Sequence, residues 1–193
     1  MKKILIVIGY KKREFEYACF FSSFLKKDKY VVKILYSNFE CYKEVFMWQP
    51  EIVILGQVNQ AENIQMAEYA TQSGARIVIL NCEGTYDNTK EIYRFGKHVN
   101  HCIDLLIAWG VQHKGDAPKF SNINPKKIAV CGTPKFDFYL DRINSYFLKR
   151  KPYQKILDSK KKTICISTSY GSADNIWDTI KNNLVFKKIG REQ

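Results

Sequence analysis

The sequence predicts an α/β fold, a Rossmann-like parallel sheet with helices on both faces, and three observations carry that reading. Short apolar runs rich in Ile, Val and Leu recur from Ile4 to Cys131. Stretches with apolar residues at helical spacing separate most of them. Several of the runs stop at a glycine, which is how a parallel strand buried on both faces meets its loop. Alternating strands and helices imply right-handed crossovers and a sheet covered on both sides.

Taken in order, Ile4–Ile8 is the first strand and Gly9 closes it. The loop Tyr10–Arg13 is basic. Glu14–Leu25 places Phe15, Ala18, Cys19, Ser22 and Leu25 close to helical spacing. Val31–Tyr36 is a second strand. Phe39–Trp48 is a helix with Pro50 just past its end. Ile52–Leu55 is a third strand, closed by Gly56. Ala61–Ser73 is a helix, and Gly74 sits where a C-terminal glycine belongs. Ile77–Leu80 is a fourth strand, Ile103–Ala108 a fifth and Ile128–Cys131 a sixth. A helix is expected over Thr89–Phe95, in the long connection from Asn81 to Cys102. After Gly132-Thr133-Pro134, residues Phe136, Phe138, Tyr139 and Leu140 open a further helix, and Asp141–Phe147 finishes it.

Past that point the texture changes. Residues 148–162 are basic, hold Pro152 and read as a linker. Thr163–Ile166 is a new buried strand, and Asn175–Asn183 suits a helix behind it. One strand and one helix cannot bury a core alone. The expected organisation is therefore a Rossmann-like domain over 1–147, a linker over 148–162, and the incomplete start of a second Rossmann-like domain over 163–193.

In open parallel sheets, ligands bind at the carboxyl ends of the strands, so the candidate site residues lie there. Glu83, with Gly84 and Thr85, follows the fourth strand. A carboxylate beside a glycine can act as a general base while the glycine lets substrate approach; a solvated turn residue is the plain alternative. Trp109 and Gly110 end the fifth strand, where the indole either lines a pocket or plugs the sheet edge. His113, in the loop that follows, suits an acid, a base or a phosphate ligand. In Gly132-Thr133-Pro134-Lys135 the turn offers backbone N–H groups, and Lys135 adds a point charge for phosphate. Asp137 either belongs to that site or only stabilises the first turn of the helix. Ser167, Thr168 and Ser169, after the last strand, either bind a phosphate or sugar or cap a helix.

Composition limits what these residues serve. A hydrophobic fraction of 46% across 193 residues suits a globular core. The apolar run at the N-terminus is short, charges follow at once and no small-residue cleavage site appears, so it reads as a strand rather than a signal peptide. No eighteen-residue apolar stretch occurs, which excludes an encoded membrane span. The six cysteines are scattered, none as CxxC, and read as reduced thiols. His98, His101 and Cys102 lack a second ligand cluster, so no metal is expected. No GxGxxG follows the first strand and no GxxxxGK[ST] occurs, which leaves nicotinamide enzymes and P-loop NTPases unsupported.

The net charge is +12, and it is uneven. Residues 1–50 carry ten Lys/Arg against five Asp/Glu, 51–110 four against seven, and 111–193 seventeen against seven. The basic ends favour anionic partners such as phosphorylated substrates or a membrane surface. A nucleic-acid role rests on charge alone, without a supporting motif, so no specific nucleic acid is expected.

The order NCEG, a strand ending in WG, a strand followed by GTPKFD, a linker, and a new strand with a Ser/Thr loop resembles a family. It is similar to the surface-carbohydrate biosynthesis proteins, themselves similar to the CDP-glycerol glycerophosphotransferases, over roughly residues 76–171. Cys82 stands where a histidine is expected before the Glu-Gly pair. Lys135 replaces the usual arginine, so a bidentate phosphate contact becomes a simple charge. The resemblance implies a GT-B fold: two Rossmann-like domains facing across a cleft, with no metal or other cofactor. The first domain mainly takes the acceptor and the second mainly binds the activated donor.

The implied function is the N-terminal portion of a transferase for a surface polysaccharide or teichoic-acid-like polymer. It moves a sugar or glycerophosphate unit from a nucleotide-activated donor to a glycan or lipid-linked acceptor. The expected location is cytoplasmic, peripheral at the inner face of an anionic membrane. The alternative is a non-catalytic Rossmann-like protein that binds an anion, or docks a partner chain supplying the second domain.

Overall fold

A computed structural model of the chain describes residues 1–25, 27–37, 39–58, 61–80, 100–138 and 140. The chain divides into two units, Met1–Leu148 and Lys149–Gln193, and every described residue belongs to the first. The expected helix over Thr89–Phe95, the linker and the second-domain strand lie outside the described residues.

In chain order the elements are β1 (Lys2–Ile8), α1 (Lys11–Ser23), β2 (Tyr30–Tyr36), α2 (Phe39–Trp48), β3 (Ile52–Leu55) and α3 (Ala61–Gln72). They continue with β4 (Arg76–Leu80), β5 (Ile103–Ala108), α4 (Val111–Ser121), β6 (Ile128–Val130) and α5 (Pro134–Asp137). The six strands form one sheet in the order β2-β1-β3-β4-β5-β6. Every pairing is parallel. This is the predicted Rossmann-like α/β layer.

Alternation along the strands sorts the core into two faces. Leu5 and Val7 of β1, Val53 and Leu55 of β3, and Ile77 and Ile79 of β4 pack with Val45 of α2, Met66 and Ala70 of α3 and Ala117 of α4. Ile4, Ile6 and Ile8, with Ile54 and Leu80, face Tyr17 and Ala18 of α1 on the other side. Each fully buried Leu or Ile side chain contributes about 1.5–3 kcal/mol.

One strand breaks the alternation. Ile77 pairs with Ile103, yet Val78 pairs with Leu105, so Asp104 is an extra residue on β5. Without that bulge, Asp104 would share a face with Leu106 and Ala108, both wholly buried in the core. The bulge places Ile103 and Leu106 on one face instead and leaves Asp104 exposed. Its carboxylate then accepts the Ile77 N–H at 2.8 Å, a donor at the point where the ladder shifts register.

Three helices differ from the sequence reading. One is α5, which stops at Asp137 with Phe138 in a turn and Leu140 in a bend, while Asp141–Phe147 lies outside the described residues. A loop is expected after Gly110, but α4 starts at Val111. Gly115, Asp116 and Pro118 all lower helix propensity, and the burial of Ala117 against the sheet overrides them. Pro118 cannot donate to the Lys114 carbonyl, but Lys114 is exposed, where solvent takes the donor's place. The third difference is α1, which begins at Lys11 rather than Glu14. The expected end of α3 holds: Gly74 has φ +87°, and the Ala75 N–H reaches the Ala70 carbonyl at 2.9 Å, closing the helix.

Candidate functional site at the carboxyl edge

Because all six strands run the same way, their carboxyl ends share one edge of the sheet. Pairing of β5 with β6 sets two of the expected tips side by side. The N–H groups of Cys131 and Gly132 both point at the Ala108 carbonyl, at 3.1 and 3.2 Å. Gly132 has φ +80°, the left-handed region that a side chain disfavours. That turn buries Thr133, puts Pro134 at the start of α5, and brings Phe136 edge-on to Trp109 with ring centroids 5.1 Å apart. Gly132, Thr133, Pro134 and Asp137 also line an apolar groove of about 420 Å³ on the face that carries α1.

Lys135 turns toward α1, with Nζ 5.8 Å from the centre of the Tyr17 ring. With only four residues, α5 aligns few peptide dipoles, so its start adds little positive potential. The sequence reading expected this turn to offer its N–H groups to a ligand, but those of Cys131 and Gly132 are committed to the Ala108 carbonyl and Pro134 has none, so a phosphate here would rely on Lys135.

His113 lies in the first turn of α4 and is buried. Its Nδ1 accepts the Trp109 N–H at 3.3 Å, which leaves the neutral ring's proton on Nε2. Burial holds the imidazole below its ordinary value, with Asp116 pulling weakly the other way. Nε2 is buried with the rest of the ring, so His113 braces the Trp109 backbone from inside the fold and does not face the open edge.

At the other end of the edge, the chain leaves β1 in opposite directions. α1 carries it to β2 on one face, and α2 carries it back past β1 to β3 on the other. A crevice opens at such a reversal. Here it is a cavity of about 260 Å³ at the tips of β1, β2 and β3. Gly9, Tyr10 and Glu14 line it from the β1 side, Tyr36 and Ser37 from β2, Gly56 and Gln57 from β3, and Glu62 and Asn63 from α3. Glu14 is only 2% exposed, and one of its carboxylate oxygens accepts the Gly9 N–H at 2.6 Å.

No family model matches the chain, and no curated protein sequence matches it. Solved structures do. UDP-N-acetylglucosamine 2-epimerase from Rickettsia bellii is similar at TM-score 0.58 and 13% identity, over 81% of this chain and 51% of that one. The UDP-GlcNAc 2-epimerase from Methanocaldococcus jannaschii is similar at TM-score 0.51 and 14% identity, over 76% and 52%. The chain shares the Rossmann-like fold of these GT-B-like epimerases. It spans about half the length of either neighbour. At such identities the likeness establishes the fold, and neither neighbour is a glycerophosphotransferase.

Within that GT-B-like layer, Trp109, Gly110, His113 and Gly132–Lys135 form one cluster at the β5 and β6 tips. Glu83, Gly84 and Thr85 follow β4, which ends at Leu80 between β3 and β5. They lie outside the described residues, as do Ser167, Thr168 and Ser169. The cavity residues Glu14, Gln57, Glu62 and Asn63 are absent from the sequence-based candidates. The signal for them was a set of polar residues just beyond three strand ends. Finding it requires knowing that β1 lies between β2 and β3, and strand order is not written in local patterning.

Proposed function

We propose that this chain is the acceptor-side half of a GT-B-like enzyme that handles a nucleotide-activated sugar or glycerophosphate unit. In this reading it serves surface polysaccharide or teichoic-acid-like polymer assembly, with a glycan or lipid-linked acceptor. One observation carries most of the weight. An all-parallel sheet with glycine-closed carboxyl tips matches about half of two enzymes named for UDP-N-acetylglucosamine. The NCEG, WG and GTPKFD segments add the resemblance to the surface-carbohydrate proteins. Glu83 is the proposed general base, and Gly132, Thr133 and Lys135 shape the wall of the cleft. His113, buried beneath the edge, holds the Trp109 backbone in place.

The epimerase names favour a second reading, in which the chain belongs to an enzyme that isomerises a nucleotide sugar. One assay separates the two. The full chain is incubated with UDP-N-acetylglucosamine or CDP-glycerol, with and without a glycan acceptor, and nucleotide release is followed by chromatography. Transfer releases UDP from the sugar donor, or CMP from CDP-glycerol, only when acceptor is present, and Glu83→Gln abolishes it. Epimerisation leaves the nucleotide attached and yields an isomer without acceptor. Absence of turnover, together with no heat on titration of CDP, CMP or UDP, would sink both readings and favour a non-catalytic protein.

A further inference from the structure

The cavity at the β1, β2 and β3 tips has a chemistry unlike that of the chain as a whole. The protein carries a net charge of +12, yet the charged side chains lining this cavity, among the described residues, are Glu14 and Glu62. Both helices that open onto it, α1 and α3, carry a carboxylate in their first turn. Lys11 is not among the lining residues, and the lining carboxylates Glu14 and Glu62 repel an anion that enters the cavity itself.

We infer that this cavity binds an uncharged polyhydroxylated group, a sugar ring or the end of a polyol, and rejects phosphate. Carboxylates only accept hydrogen bonds, and hydroxyl groups supply the matching donors. Asn63 and Gln57 both donate and accept, which suits hydroxyls that do the same. Ser37 adds a hydroxyl of its own, and the Tyr36 ring offers an apolar face to the C–H side of a ring.

Glu14 is 2% exposed and Asn63 9%, so these polar groups are held in place by packing rather than loose on the surface. The Gly9 N–H fixes one Glu14 oxygen at 2.6 Å, which orients the carboxylate. At about 260 Å³, the space lies just below the range of roughly 300–1,000 Å³ typical of drug-sized ligands and fits a single ring. In the transfer reading this site would seat the acceptor, but the binding itself does not depend on that reading.

The test is amide chemical-shift mapping on the full chain, with no nucleotide present. The probes are N-acetylglucosamine and glycerol, each compared with its phosphate ester. Both neutral probes are expected to shift Gly9, Ser37 and Gly56 saturably, with the esters about tenfold weaker or more, as two nearby carboxylates imply. Glu62 is exposed, so Glu62→Gln keeps the fold and should narrow that gap by several-fold. Phosphate esters that bind as well as the neutral compounds would overturn the inference. So would silence at these amides with both neutral probes, or tighter saturation of the same amides by magnesium or calcium. Because no donor is present, failure here leaves the transfer reading untouched, and a failed turnover assay leaves this site untouched.

Discussion

Gly132 holds its left-handed backbone with nothing within 4 Å of where a Cβ would sit, so replacing it tests the turn alone. Gly132→Ala should cost about 1–2 kcal/mol through φ strain, lowering Tm by roughly 2–8 °C in a chain of this size. An unchanged thermal melt would contradict the turn. His113 gives a residue-scale pH effect. Burial lowers its pKa in the folded chain from the ordinary 6.5, so the unfolded chain takes up the proton first. The His113 contribution is thus complete above pH 6.5 and is lost as pH falls from there toward the lower folded value. His113→Gln should flatten the Tm profile below pH 6.5; a profile of unchanged slope would contradict the buried neutral ring. The glycine turn was legible because GTP after an apolar run admits few conformations. Glu14 was not, since a buried carboxylate and a solvated one read alike in a helical pattern.

Elements were legible where one residue set satisfied one period. The runs Ile52–Leu55 and Ile103–Ala108 are apolar almost throughout, and both match the observed strands. The bulge in β5 was hidden because Asp104 among apolar residues suits either face until its partner strand is known. Asp104→Ala leaves the Ile77 N–H without its acceptor and should cost about 1 kcal/mol. Asp104→Asn keeps a carbonyl oxygen there and should recover most of the loss in a urea melt. Equal losses in both variants would mean the carboxylate does not hold the register shift. α4 was missed for the opposite reason: its local preferences point away from helix, and the buried Ala117 decides the matter from outside the segment.

At the scale of the molecule, the parallel layer followed from alternation, but its order did not. Nothing in the sequence states that β1 lies between β2 and β3, and that placement opens the cavity at their tips. Among the described residues no helix is long and apolar enough to cross a membrane. Among the described residues Cys19, Cys41, Cys102 and Cys131 form no disulfide, and burial pushes the Cys102 thiol upward, away from reactivity. The account stands on one claim, that this protein works at the carboxyl edge of its sheet. The most direct measurement is amide shift mapping with UDP-N-acetylglucosamine on the full chain. Shifts are expected at Gly110 and Gly132, with Lys2, Tyr30, Glu51 and Arg76 at the amino edge unmoved. Shifts gathered at the amino edge, with those glycines silent, would contradict it.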